Sequence, residues 1–377
     1  MRAGVSCAVA VVLVLASLPL VSILYPDGSL ASGSPVINPD KQLVVDKTRW
    51  VTDYEVWREV FVSSTGKLYI KGGGTLVTDN LVLDGNSLLT VQGGTLEITP
   101  RAHRTSAMIS GHCSWFEVVG RSVVRIHGPD GGYDISTSMG CTVGINVSSS
   151  RAIHITDSTI DIRAGDGASP PEPLTSSDLS GRAFSGGDVD LNLTSENDHE
   201  MVWLAGLDVH LEAGEGGKAP DAVAPPPDKE GRLKGLGGGF TRGGDVGGRV
   251  GSGGDVRIAL HGTTVEVSNA GFNVTAGTGG DGGDGAAVNM NVLAGAGGGG
   301  YTGGDGASGL AEEHGAMPGG DVSGQAGRGG DIDLIIDSVD LDLRLARFDM
   351  RGGDGGNAGD GGDSIGLGGG GGGQGHH

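Results

Sequence analysis

The sequence predicts an all-β chain wound as a right-handed parallel β-helix, a β-solenoid with long glycine-rich loops projecting from one corner. Three observations predict it. A triplet of short apolar-alternating strands recurs four times after Gly144, with third strands Ile160-Asp-Ile162, Leu207-Asp-Val209-His-Leu211, Phe272-Asn-Val274 and Phe348-Asp-Met350. The matching first strands begin at Ile145, Val189, Val256 and Ile332. Period-two alternation turns one face of each strand inward. A unit of three short strands cannot bury that face alone, so it must stack on copies of itself. Finally, Gly243-Gly-Asp-Val246 and Gly253-Gly-Asp-Val256 recur as Gly319-Gly-Asp-Val322 and Gly329-Gly-Asp-Ile332, a shift of 76 residues (319 − 243) that duplicates strand and insertion together.

The elements follow in order. Met1-Arg2 and the apolar run from Ala8 to Leu24 read as a secretory signal over residues 1–31, with Ser29-Leu-Ala31 as a small-residue cleavage site. The run is also near the length of a membrane span, so an uncleaved anchor is the competing reading. Both place the remainder outside the cytoplasm, secreted or at the cell surface. Residues 32–66 read as a polar linker and a cap, whose Trp50, Tyr54, Trp57 and Phe61 cover the open end of the first coil. A carbohydrate-stacking patch is the sharper alternative. From 67 to 143, short strands such as Leu81-Val-Leu83 and Leu88-Leu-Thr-Val91 alternate with glycine turns as tight coils. Residues 144–351 form coils with growing glycine-rich insertions, and 352–377 form a glycine-rich tail. Interior stacks are expected at Ile145/Val189/Val256/Ile332 and at Ile160/Leu207/Phe272/Phe348.

Composition narrows the function classes. Of 77 glycines, 13 precede Gly131 and 64 lie from Gly131 onward, which ties glycine to the insertions and not to the coils. The chain as a whole lacks a strict Gly-X-Y period, which excludes collagen. A net charge of −21, spread along the chain, repels nucleic acid and anionic lipid, leaving the N-terminal segment as the membrane-directed part.

Several residues carry candidate chemistry. Gly279-Gly-Asp-Gly-Gly-Asp284 and the run through Asp360 and Asp363 set carboxylates among tight-turn residues, which suits calcium as a bound ion at Asp281, Asp284, Asp360 and Asp363. The stretch Gly359 to Ile365 resembles one calcium-binding nonapeptide of the RTX type, with Ala358 standing where that pattern has glycine. The competing reading makes aspartate a turn cap, preferred at Asp188, Asp255 and Asp331. Cys113 and Cys141 are separated by about one coil, so a disulfide between adjacent rungs competes with two buried thiols. Sequons at Asn146, Asn192 and Asn273 lie on outward positions, either as glycan carriers or, for Asn146 and Asn192, as a short asparagine stack. Asp161, Asp208 and Asp349 should share an outward column. No Ser-His-Asp order, metal-ligand spacing or paired acids at glycosidase distance stand out.

On these strand triplets and glycine insertions, over roughly Leu68 to Gly375, the chain resembles secreted parallel β-helix repeat proteins of prokaryotic surfaces, including archaeal, adhesin-like and filament-forming members. The resemblance implies a pectate-lyase-like winding and a non-enzymatic structural or adhesive role, with self-association or contact with cell-surface and matrix components. A polysaccharide-binding or polysaccharide-cleaving protein on the same scaffold is the alternative.

Overall fold

A computed structural model describes residues 35–100, 104–132, 138–170, 183–197, 201–219, 250–282, 288–289, 326–357 and 364–365. Their regular structure is all β: one 18-stranded sheet and one two-stranded pair. Every pairing is parallel, and each strand bonds to the strand one circuit later in the chain. Three faces result. On the third face, residues 36–38 begin a column that continues through Tyr54–Val62, Thr75–Leu83, Thr95–Ile98, Val123–His127, Thr159–Arg163, Asp208–Glu212, Gly271–Thr275 and Arg347–Arg351. The first and second faces share long bent strands, among them Ser106–Val119, Thr142–Thr156, Val256–Ser268 and Ile332–Arg344.

The circuit lengthens steadily. Stacked partners are 19 residues apart at Val36 and Glu55, 36 at Val123 and Thr159, 49 at Thr159 and Asp208, and 76 at Gly271 and Arg347. Strand length hardly changes, so the extra chain lies between the third face of one turn and the first face of the next. The 76-residue register holds even at the edge of the described residues, where Val288 pairs with Ser364.

Two sequence expectations change here. The stack begins at Val36, because Val36–Val45 and Thr48–Val51 already pair in register with the next turn. Residues 36–62 are therefore paired strands of the stack and not a linker. The interior columns are also offset by two residues. Val143, Val189, Val256 and Ile332 share one column, while Ile145 stacks on Leu191, Ile258 and Leu334. Val209, not Leu207, joins Ile160, Phe272 and Phe348. A slip of two preserves the face, because side chains alternate with period two. The inward faces were legible for that reason, while the register was not.

The interior is mainly apolar, with Glu55 buried in the first turns, where Arg49 Nη2 and Trp57 Nε1 donate to it. Ile109, Ile145, Leu191 and Ile258 are at most 1% exposed, and the Phe272 and Phe348 rings stack at 4.7 Å. Each fully buried side chain of this kind contributes about 1.5–3 kcal/mol. The corner between the second and third faces repeats a left-handed residue at Gly93, Gly120, Asp157, Gly206, Asn269 and Leu345. Glycine, Asn and Asp accept that conformation readily; leucine does not.

Candidate functional site

The glycine-rich segments flanking each insertion form a wall along one corner. Residues leaving the third face (164–170, 213–219, 276–282, 352–357) make one row, and residues entering the first face (183–188, 250–255, 326–331) make a second. Amides cross between the rows in a zigzag: Gly187 to Gly165 O, Gly214 to Gly187 O, Gly254 to Gly214 O, Gly277 to Gly254 O, Gly330 to Gly277 O and Gly353 to Gly330 O, all at 2.8–3.0 Å. Three residues along each segment a second zigzag repeats it, through Ala168, Phe184, Gly217, Gly251, Gly280, Gly327 and Gly356. A repeat of three is that of a polyproline-II-type strand, which has no internal hydrogen bonds and must bond sideways.

The remaining two amides of each period complete the pattern. One donates within its own row, as Gly216 does to Thr278 O and Gly279 to Asp354 O. The third faces outward, and here a side chain of the preceding turn accepts: Asp166 N to Asp130 Oδ1, Glu215 N to Asp166 Oδ1, Lys218 N to Ser169 Oγ, Asp255 N to Asp188 Oδ1, Asp331 N to Asp255 Oδ1 and Asn357 N to Asp281 Oδ1, at 2.8–3.0 Å. Gly-Gly-Asp is thus a structural triplet. Two glycines admit backbone on two sides, and the aspartate closes the outward donor of the next turn. The local period of three is visible in Gly279-Gly-Asp-Gly-Gly-Asp284, where the sequence alone suggests calcium chemistry.

Asp281 shows the consequence for that reading. Its Oδ1 accepts from Asn357 and its Oδ2 lies 3.5 Å from Lys218 Nζ. Among the described residues no group of three or more His, Cys, Asp or Glu side chains is arranged to hold a metal ion. Asp284, Asp360 and Asp363 lie outside the described residues. Asp188, Asp255 and Asp331 do accept backbone amides or stand in that column, as expected of caps, but the amides are those of the neighbouring turn.

The disulfide expectation is corrected. Cys113 stacks beside Ser149, and Cys141 precedes Thr142, which stacks on Ser106, so the two thiols belong to different columns. Both are free and buried. The circuit there is 36 residues (142 − 106), not the 28 that separate the cysteines. Burial pushes both thiols up to about 12, and for Cys113 a hydrogen bond from Ser149 only partly offsets it.

Asn146 and Asn192 stand in register, and Asn192 Nδ2 donates to Asn146 Oδ1 at 3.2 Å, the geometry of an asparagine stack. Asn273 is exposed in another column, between His210 and Asp349. The expected Asp161/Asp208/Asp349 column is divided: Asp161 stacks on His210, and Asp208 on Thr159.

A charged cluster lies on the outward third face. His127 Nε2 and Arg163 Nε reach the two oxygens of Asp161 at 3.3 and 2.9 Å, and His210 Nε2 lies 3.4 Å from Glu212. Burial would raise the Asp161 carboxyl, but the Arg163 hydrogen bond and charge, then His127, outweigh it and hold the group below its ordinary value. A glycosidase acid needs the opposite shift. On the first face, His112 Nδ1 lies 3.0 Å from Ser148 Oγ and 3.3 Å from Glu196 Oε1. Both partners address the same ring nitrogen, so no Ser-His-Glu relay exists, since a relay uses both nitrogens.

No family model matches the chain. Neither a curated protein nor a solved structure shows significant similarity to it. What can be said of function therefore rests on its own geometry. An open groove of about 450 Å³ at the second-to-third corner, lined by Arg121, Asp157, Ser158, Thr159, Asp208 and Asn269, mixes charges of both signs, and its Ser158 hydroxyl donates to Thr156 O.

Proposed function

We propose that this chain is a right-handed parallel β-helix that acts outside the cytoplasm as a structural or adhesive surface protein, associating with further copies or with cell-surface and matrix components through its C-terminal end. Right-handedness rests on the strong preference of parallel crossovers for that hand. One observation carries the association. In the last described turn the inward positions Leu334, Leu341 and Leu343 are 37%, 49% and 45% exposed, whereas Ile258, Val265 and Val267 one turn below are at 0%. An open apolar end with unpaired strand edges is a template for another strand.

On the third face Asp161 is engaged by Arg163 and His127 and held below its ordinary value, which supports a non-catalytic role over the polysaccharide-cleaving alternative. The test is a sedimentation series on the purified full chain, with Leu341→Asp and Leu343→Asp introduced together. Association that rises with concentration and is lost in the double variant is expected. A native chain that stays monomeric across the series, or a variant that associates equally well, overturns the reading.

A further inference from the structure

The second end of the stack differs from the first in kind. Between Leu83 and Asp331, Met139 is the only large hydrophobic side chain that stands exposed among the described residues. Below Leu83 there are five: Ile37, Val44, Trp50, Tyr54 and Val82, at 39–62%. These are not interior positions opened by a missing turn. They point outward from the sides, and they occupy all three faces: Val44 and Val82 the first, Trp50 the second, Ile37 and Tyr54 the third. All fall within the lowest three turns. An apolar patch on one side would suit a protein partner. A girdle at one height on every side suits a plane that cuts the stack across its axis.

Charge follows the same division. Residues 35–75 hold six basic and five acidic side chains, a net of +1, and include four of the seven lysines: Lys41, Lys47, Lys67 and Lys71. From residue 76 onward there are 18 basic and 40 acidic, a net of −22. Lys41, Lys47 and Lys67 are exposed, and Lys71 Nζ lies 4.6 Å over the ring of Trp50, which stacks on Tyr69 at 4.3 Å. Tryptophan, tyrosine and lysine together are the side chains that settle at a lipid headgroup boundary. The apolar run ending at Leu24 also joins the described residues at this end, with ten residues between it and Pro35.

We propose that the lowest three turns are a membrane-interface girdle: the stack stands on a lipid surface with Ile37, Val44, Trp50, Tyr54 and Val82 at headgroup level. Lysines meet anionic headgroups at the base, while the acidic body is repelled and the axis is kept off the surface. The girdle does not depend on what the far end binds.

Depth-resolved fluorescence tests it. The full chain is reconstituted with vesicles of phosphatidylcholine and phosphatidylglycerol carrying a nitroxide-labelled headgroup. Trp57 stands less than one turn above Trp50, Trp115 three turns and Trp203 five, so the last two are roughly 14 and 24 Å higher. Single Trp→Phe variants should reduce the quenching most at positions 50 and 57, less at 115 and least at 203, with the first two together removing at least half of it. The Trp115→Phe and Trp203→Phe variants retain the base and serve as controls for folding. Equal losses at all four positions, an inverted order, or vesicle-bound chain without quenching would each overturn the girdle, as would a chain that does not bind these vesicles.

Discussion

Replacing Gly277 with alanine tests the wall most directly. A Cβ there would lie 1.8 Å from Gly214 O and 2.6 Å from Gly254 N, whereas ordinary contact begins near 3.4 Å. Both obstacles are backbone, so no side chain can swing aside. Relieving the clash with Gly214 alone needs a displacement of 1.6 Å (3.4 − 1.8). That shift carries the 2.9 Å bond from Gly277 N to Gly254 O and the 2.8 Å bond from Gly330 N to Gly277 O beyond bonding range. Two buried backbone pairs left open cost about 1–3 kcal/mol each, so a loss of about 2–6 kcal/mol is expected. Gly271→Ala is the matched control: a Cβ there meets nothing within 4 Å, and its φ is not left-handed. It should change stability by less than about 1 kcal/mol, towards stabilisation. Guanidinium unfolding of both variants gives the comparison, and amide exchange at Gly254, Gly277 and Gly330 localises the damage, since neighbouring turns carry most of the coupling in a stacked repeat. If the two variants unfold alike and exchange at these amides is unchanged, the account of the wall as backbone packed on backbone is wrong.

Three further outcomes are expected. Leu345 is 85% exposed at φ 54° in a corner where other turns use Gly, Asn or Asp, so Leu345→Gly should raise the melting temperature by relieving about 1–2 kcal/mol; a lowered midpoint would refute the strain argument. Cys113 and Cys141 ionise only near pH 12 when folded against 9.0 unfolded, so their contribution is fully present below pH 9 and is lost as pH rises toward 12. Cys113 and Cys141 should resist maleimide at pH 8 in the native chain and both react once it is unfolded, and rapid native labelling of either one would contradict the burial. Asp161 has the opposite sign: its folded value lies below the ordinary 3.8, so its small contribution is present above that pH and is lost as pH falls through the folded value. Arg163→Gln should cost less than about 1 kcal/mol at pH 7, because the Arg163 side chain is half exposed, and should move the acid unfolding limb upward in pH.

The sequence by itself determined which side of each strand is inward and how the last two turns correspond. Alternation marks the inward set of a strand such as Ile160-Asp-Ile162 from local composition alone, and a duplicated 76-residue unit carries its own register, seen again in Val256 over Ile332 and Gly271 over Arg347. Register between turns of unequal length was another matter. Nothing local distinguishes Ile145 over Val189 from Ile145 over Leu191, because both keep the same face inward, and only the pairing of whole strands decides. That pairing also placed Cys113 and Cys141 in separate columns and brought Trp50, Tyr54 and Val44 to one height. The glycine triplets hide their purpose for a related reason. A polyproline-II-type strand makes no bonds to itself, so the purpose of its glycines lies in other segments, as Gly277 shows against Gly214 and Gly254, and that of Asp166, Asp255 and Asp281 in neighbours 49 to 76 residues distant. Tertiary structure supplied those neighbours, and with them the reason for glycine at positions where any Cβ would strike backbone.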